Sequence, residues 1–227
     1  MKVEIWSDVV CPFCYIGKRN FEKALAAFPA GRQVEVVWRS YQLDPTLKTT
    51  PGQSLHEYLA DRKGFSTDHA RQMNNHVTGA AREAGLTFRL DEAVVANTHD
   101  AHRLIHLAAA RGLQDQAEER LFAAYFTESR DVADPDTLVQ LGTDIGLDAG
   151  EVKQVLQSNA YAAEVQADHD EAAQVGARGV PFFVFGEKYA LSGAQPSDVF
   201  LGVLQQTWEE IQAEPGGDFC TADGVCK

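Results

Sequence analysis

Hydrophobic and polar residues alternate at the start of the chain in KVEIWSDV, and the β-branched content of that stretch predicts a buried strand. From Pro12 to about Phe28 the apolar positions Ile16, Phe21, Leu25 and Phe28 follow a helical period, and Pro29 and Gly31 close the helix. QVEVVWRSYQL reads as a second strand, stopped at Asp44-Pro45. Residues 52–158 contain no strand pattern and read as a succession of helices. Ser66 and Asp134-Pro135 fall where helices should start, and Gly85, Gly112, Gly146 and Gly150 where they should stop. A further helix is expected over about 159–175. GVPFFVFGEKYALSGAQP then reads as two short strands about a turn at Gly186, with a last helix opening near Pro196.

The order is therefore β-α-β, an all-helical block, then α-β-β-α. Without the block, β-α-β-α-β-β-α remains, an α/β arrangement in which a mixed sheet is covered by helices on both faces. The expected divisions are 1–48 and 159–213 for the two parts of the sheet domain, 49–158 for a helical insertion between the second and third strands, and 214–227 for a C-terminal tail. The insertion is expected to act as a lid over one end of the sheet. There is no internal repeat and no low-complexity segment.

Composition narrows the function. The 227 residues are 44% hydrophobic and 23% charged, ordinary for a globular protein, and the net charge is −13. That acidity argues against nucleic acid or an anionic membrane surface as partner. No apolar run approaches the roughly 20 residues needed to span a bilayer. MKVEIWSDVVC runs straight into a strand with no basic, apolar and small-residue sequence of a secretory signal, so a cytoplasmic location is expected. In a reducing cytosol, paired cysteines are more often catalytic, redox-sensing or metal-binding than structural.

The four cysteines come as two pairs, Cys11 and Cys14 in CPFC and Cys220 and Cys226 in CTADGVC. Cys11 stands at the mouth of the first helix, where free N–H groups and the helix dipole favour thiolate over thiol. Pro12 suits the first turn, because its missing N–H has no partner there anyway. The pattern supplies an exposed nucleophile, Cys11, and a resolving thiol, Cys14, one turn into the helix. A zinc half-site is the alternative, but CTADGVC has the wrong spacing to complete it, so no metal is expected. Val180-Pro181 directly precedes a strand, a position proline tolerates. In the tail, Cys220 and Cys226 read as a second redox pair able to exchange with Cys11 and Cys14, or as a passive pair. His99, His102 and His106 share a helix face and read as structural, while Asn97 and Thr98 cap that helix. Phe13 and Tyr15 are candidates for an apolar apron around the cysteines, and Trp6, Phe182 and Phe183 for core.

The strings WSDVVCPFCYIGKRNFEKAL, NTHDAHRLIHLAAARG, AAYF, GVPFFVF and SGAQP together resemble the FrnE-like subgroup of the DsbA family, over Val3 to about Gln206. The resemblance implies a thioredoxin fold, a cis Val180-Pro181 bond lying against Cys11, and a Val180 backbone that pairs with a substrate strand. It implies protein thiols and disulfides, and unfolded segments, as partners. No cofactor is required, and glutathione or a thioredoxin-type donor would supply exchange. The periplasmic oxidant of the family has His where this chain has Phe13, so the disulfide here should be less oxidising, and isomerase or reductase work is expected. In glutathione-using relatives the helical lobe lines the ligand pocket, which puts Asn97 and Thr98 among possible pocket residues. Two other readings stay open: a glutathione-dependent isomerase or transferase on the same scaffold, and a non-enzymatic holdase or metal sensor using the tail pair.

Overall fold

In a computed structural model, residues 1–48 and 52–213 are described. The tail cysteines Cys220 and Cys226 lie outside the described residues. Strands β1 (Lys2–Ser7), β2 (Glu35–Ser40), β3 (Phe182–Phe185) and β4 (Tyr189–Ser192) form a mixed sheet of order β2-β1-β3-β4. β1 runs parallel to β2 and antiparallel to β3, so Ile5 pairs with both Trp38 and Phe183. β1 and β2 are shorter than their sequence pattern. Asp8 turns the chain after β1, and its carboxylate accepts the Leu43 N–H at 2.7 Å, drawing the chain beyond β2 out of the ladder.

Alternation along β1 sorts the two faces. Val3 and Ile5 are buried with Phe21 and Ala24 of helix α1 (Pro12–Ala27) and Phe200 and Leu204 of helix α9 (Ser197–Ala213). Trp6 points the other way, into Phe182, Val184 and Ala172 of helix α8 (Ala162–Gln174). The expected two-sided cover is thus present. α1 and α9 run side by side in the same direction, Asn20, midway along α1, donating to Gln195 O just before α9, and Phe28, just past the end of α1, meeting Trp208 farther along α9.

Between β2 and α8 stand α2 (Leu55–Lys63), α3 (Thr67–Glu83), α4 (His99–Ala109), α5 (Gln114–Phe122), α6 (Pro135–Asp144) and α7 (Ala149–Leu156), with α5 running on through a π-helical turn, Ala123–Thr127. Ser66 and Asp134 cap α3 and α6 as expected, accepting from His69 N and Thr137 N. Gly85, Gly112 and Gly146 carry the positive φ of helix ends. Gly150 does not stop a helix. It lies in the first turn of α7, which Asp148 caps from Glu151 N. Thr98 occupies the cap position of α4 but makes no capping bond; Asn97 Oδ1 does so, accepting from His99 N at 3.0 Å.

The helical block lies alongside the sheet rather than only over its end. Gln114 of α5 reads the free edge of β2 with both ends of its amide, accepting from Trp38 N at 3.1 Å and donating to Trp38 O at 2.8 Å. Asp115 accepts from Trp38 Nε1 at 3.1 Å. α5 also grips α1: Tyr15 stacks on Phe122 at 4.8 Å between centroids, and its hydroxyl donates to Glu119. Cys11, Cys14, Tyr15 and Ile16 consequently belong to the same apolar core as α4, α5 and α6. The cysteines sit in the seam between sheet domain and insertion.

Candidate active site

β1 delivers the chain to this seam. Asp8, buried behind the turn, accepts from the Cys11 N–H through its carbonyl at 2.9 Å, while its carboxylate holds Leu43 N and faces His102 Nε2 at 3.3 Å. Cys11 then takes the N-cap position of α1, with extended backbone and Pro12 in the first turn. Its Sγ lies 3.5 Å from Val180 O. Cys14 stands one turn on, beside the Cys11 thiol, and no disulfide joins the two. The Val180–Pro181 bond is cis, as the resemblance implies. A Cβ on Gly17 would meet Pro181 Cγ at 3.1 Å, so glycine at this point in α1 lets the loop approach the helix closely. On the far side, Gly193 N donates to Pro181 O at 2.8 Å and pins the loop to the end of β4.

The two thiols differ from the sequence expectation in one respect. Cys11 is not an exposed nucleophile: it is 4% exposed, and Cys14 only 1%. Packing of the insertion against α1 and of Val180 against Sγ covers them. For Cys14, burial pushes the thiol well up, and the neighbouring Cys11 sulfur pushes the same way; the Asp8 backbone and the Ser7 hydroxyl oppose it only in part. Cys14 is thus held as a thiol until something removes its proton.

Phe13 is the exposed member of the motif at 45%, and Leu43, placed beside the turn by its bond to Asp8, is exposed at 50%. Tyr15 is no part of such an apron: it is buried between Phe88 and Phe122. Trp6, Phe182 and Phe183 are core, as expected. Asn97 and Thr98 do not stand free to line a pocket. Asn97 accepts from Gln42 Nε2 and donates to Leu47 O, tying down the segment after β2, and Thr98 is buried. Of the α4 histidines, His102 faces Asp8 and His106 faces Ser40 Oγ and Asp168, so these two are structural.

Sequence reasoning missed Ser7, Asp8 and Glu118. Glu118 of α5 is fully buried and its pKa is raised to about 7, burial being the leading cause. A faint signal was present: Glu118 shares the helical stripe of Ala117, Leu121 and Phe122, an acid on an apolar face.

The model of the DSBA-like thioredoxin domain matches residues 2–205. The chain belongs to that family. Among DSBA-like proteins of known structure, one described as a DsbA oxidoreductase from Streptomyces coelicolor is 43% identical, covers 100% of this chain and 98% of its own, and superposes with a TM-score of 0.90. The cytosolic disulfide reductase DsbM of Pseudomonas aeruginosa shares the fold at 16% identity and a TM-score of 0.61, over 94% of this chain and 98% of its own. A 2-hydroxychromene-2-carboxylate isomerase does so at 13% and 0.64, over 93% of this chain and 96% of its own. No helix among the described residues is long and apolar enough to cross a membrane.

Proposed function

We propose that this DSBA-like protein is a cytoplasmic thiol–disulfide oxidoreductase working on protein substrates as a reductase or isomerase. The observation that carries the reading is the place of the Cys11 sulfur, against Val180 O and beside the Cys14 thiol. Cys11 attacks a substrate disulfide and holds one half by a mixed disulfide. Cys14 resolves it. The Val180 backbone and the exposed Phe13 and Leu43 supply an edge for an extended chain, which suits narrow access to Cys11 better than a folded surface does. Phe13 gives Cys11 neither a charge nor a hydrogen-bond donor, which favours the reducing direction over that of a strong oxidant. No cofactor is needed for this chemistry, and glutathione or a thioredoxin-type donor would recharge the dithiol. The tail pair Cys220–Cys226 would act as a secondary couple.

Cys14 speaks against a glutathione-dependent isomerase, whose chemistry needs no second thiol. Replacing Cys14 by Ser tests the choice. The variant should accumulate a mixed disulfide through Cys11 with an unfolded, disulfide-bearing protein such as insulin, and lose turnover. Glutathione-dependent isomerisation that survives Cys14→Ser would favour the isomerase, and activity surviving Cys11→Ser would favour a non-enzymatic role.

A further inference from the structure

The segment that follows β2 is held more tightly than an exposed connection requires. Gln42 donates through Nε2 to Asn97 Oδ1 at 3.2 Å, just ahead of α4. Leu43 N donates to Asp8 Oδ2 at 2.7 Å, just after β1. Asp44 accepts from the Tyr58 hydroxyl at 2.8 Å and pairs with Arg62, both on α2. Three successive residues are thus pinned by three different parts of the fold, and the Leu43 side chain is left 50% exposed. Fixing a residue's backbone costs about 1–2 kcal/mol of entropy, and an exposed leucine offsets little of it through burial.

The group that holds Leu43 also holds the nucleophile. Asp8 is 1% exposed; its carbonyl accepts the Cys11 N–H at 2.9 Å while its carboxylate accepts the Leu43 N–H. His102 Nε2 stands 3.3 Å from the other carboxylate oxygen and fixes the way it points. A buried carboxylate is costly unless its oxygens are hydrogen-bonded, and this one is directed to the backbone of an exposed leucine. One rigid residue therefore sets the spacing between Leu43 and Cys11. Phe13 stands two residues along from Cys11 and is 45% exposed. Only five large apolar side chains are exposed among the described residues, and Leu43 and Phe13 are two of them.

We infer that Leu43 is a specificity-determining residue and Asp8 its positioning residue: with Phe13, Leu43 selects substrates that carry an aliphatic or aromatic side chain beside the cysteine that Cys11 captures. The inference rests on the thiol–disulfide reading and names the substrate class of the same site. In the capture step the Cys11 thiolate attacks one sulfur of the substrate disulfide. The bond from Cys11 to that sulfur forms, the substrate S–S bond breaks, and the other sulfur leaves with the electron pair as a thiolate. A neighbouring apolar side chain laid on Leu43 and Phe13 leaves water as the new bond forms, so its burial speeds capture. Such side chains are mostly covered in folded proteins and bare in unfolded ones, so the same contact favours unfolded chains.

The test uses the full chain with Cys14→Ser, Cys220→Ser and Cys226→Ser, so that a mixed disulfide on Cys11 persists. The probes are two short peptides with a single cysteine, one with leucine beside it and one with serine, each supplied as its own symmetrical disulfide. Rapid acid quench and mass mapping give the second-order rate of capture on Cys11. The leucine peptide should be captured roughly 10-fold faster, the effect of covering about half a leucine side chain. Leu43→Ser should reduce that ratio to roughly 2–3-fold, the share left to Phe13. Asp8→Ala should reduce it likewise, and Asp8→Asn, whose Oδ1 still offers an acceptor to Leu43 N, should retain it. Leu43→Ser alters an exposed side chain and decides the matter even if Asp8→Ala does not fold. A ratio near one in the parent, or a ratio that Leu43→Ser leaves in place, overturns the inference. Asp8→Ala with the parent's ratio overturns the part given to Asp8, because a purely structural role changes both capture rates alike. Absence of capture of either peptide, and of oxidised glutathione, overturns the thiol–disulfide reading itself.

Discussion

Replacing Gln114 by Glu alters one end of the amide that docks the insertion on the sheet. The Oε1 end still accepts from Trp38 N, but the end that donates to Trp38 O at 2.8 Å becomes a second oxygen. A buried carbonyl then loses its donor and faces a carboxylate, and Lys18, already shared among three acids, is not free to compensate. Leaving such a group unsatisfied costs about 1–3 kcal/mol, and the partial exposure of Gln114 places the loss near 2 kcal/mol. For a chain of this size that lowers Tm by about 4–8 °C. The carboxyl facing a carbonyl oxygen has its folded-state pKa raised above the unfolded value, so the folded state binds the proton more tightly. The deficit is therefore full above the folded pKa and shrinks as pH falls through it, when the protonated acid can donate again. Gln114→Ala loses both bonds, and its deficit has no such pH dependence. Urea denaturation of the three proteins between neutral and mildly acidic pH measures this. Equal stability of Gln114→Glu and the parent at neutral pH, or deficits of the two variants that move in parallel with pH, would refute the docking argument.

Three further outcomes are expected. Burial pushes the Asp168 carboxyl up, but His106, the Ser40 N–H and Arg39 outweigh it and hold its pKa below the ordinary value. Its contribution is present above the unfolded pKa and is lost as pH falls through the lower folded one. Asp168→Asn should therefore cost roughly 2–3 kcal/mol at neutral pH and less in acid, as followed by urea denaturation. Gly17→Ala, whose Cβ meets Pro181 Cγ at 3.1 Å, should destabilise by about 1 kcal/mol and slow capture at Cys11, read by denaturation and by thiol alkylation. The last concerns reach. α1 is 16 residues, about 24 Å, and α9 follows it past Trp208, so Ala213 lies about 30 Å from Cys11. With about 6 Å bridged by the disulfide itself, seven residues to Cys220 reach at most about 31 Å, the very limit, and thirteen to Cys226 about 51 Å, so a tail disulfide to Cys11 within one chain should map to Cys226 in preference to Cys220.

Much of this architecture was legible because it rests on local chemistry. Alternation located β1, the short runs about the Gly186 turn located β3 and β4, and Ser66 and Asp134-Pro135 announced α3 and α6 through side chains that bond only three residues away. The juxtaposition of Cys11 with Val180 spans 169 positions, and no local pattern encodes it; resemblance to a known family supplied it. The partners of the cysteines were harder. Asp8 and His102 are 94 positions apart, and Glu118 is buried in the seam only because Gln114 and Glu119 bolt α5 to β2 and α1. The same docking explains the misjudged exposure of Cys11. A helix N-terminus in isolation is open to solvent, whereas this one is roofed by a block that follows it in the chain. Tyr15 was misassigned for the same reason, since its partners Phe88, Phe122 and Glu119 all come from the insertion.

The central claim is that Cys11 and Cys14 form one reversible couple. Equilibrating the full chain in glutathione buffers of graded ratio, then alkylating and mapping all four cysteines by mass, tests it most directly. The account predicts a Cys11–Cys14 disulfide with a single midpoint, more reducing than the roughly −120 mV of a strong oxidant and falling between about −180 and −270 mV, the span from isomerases to thioredoxin. Cysteines 11 and 14 that never pair at any poise would contradict it.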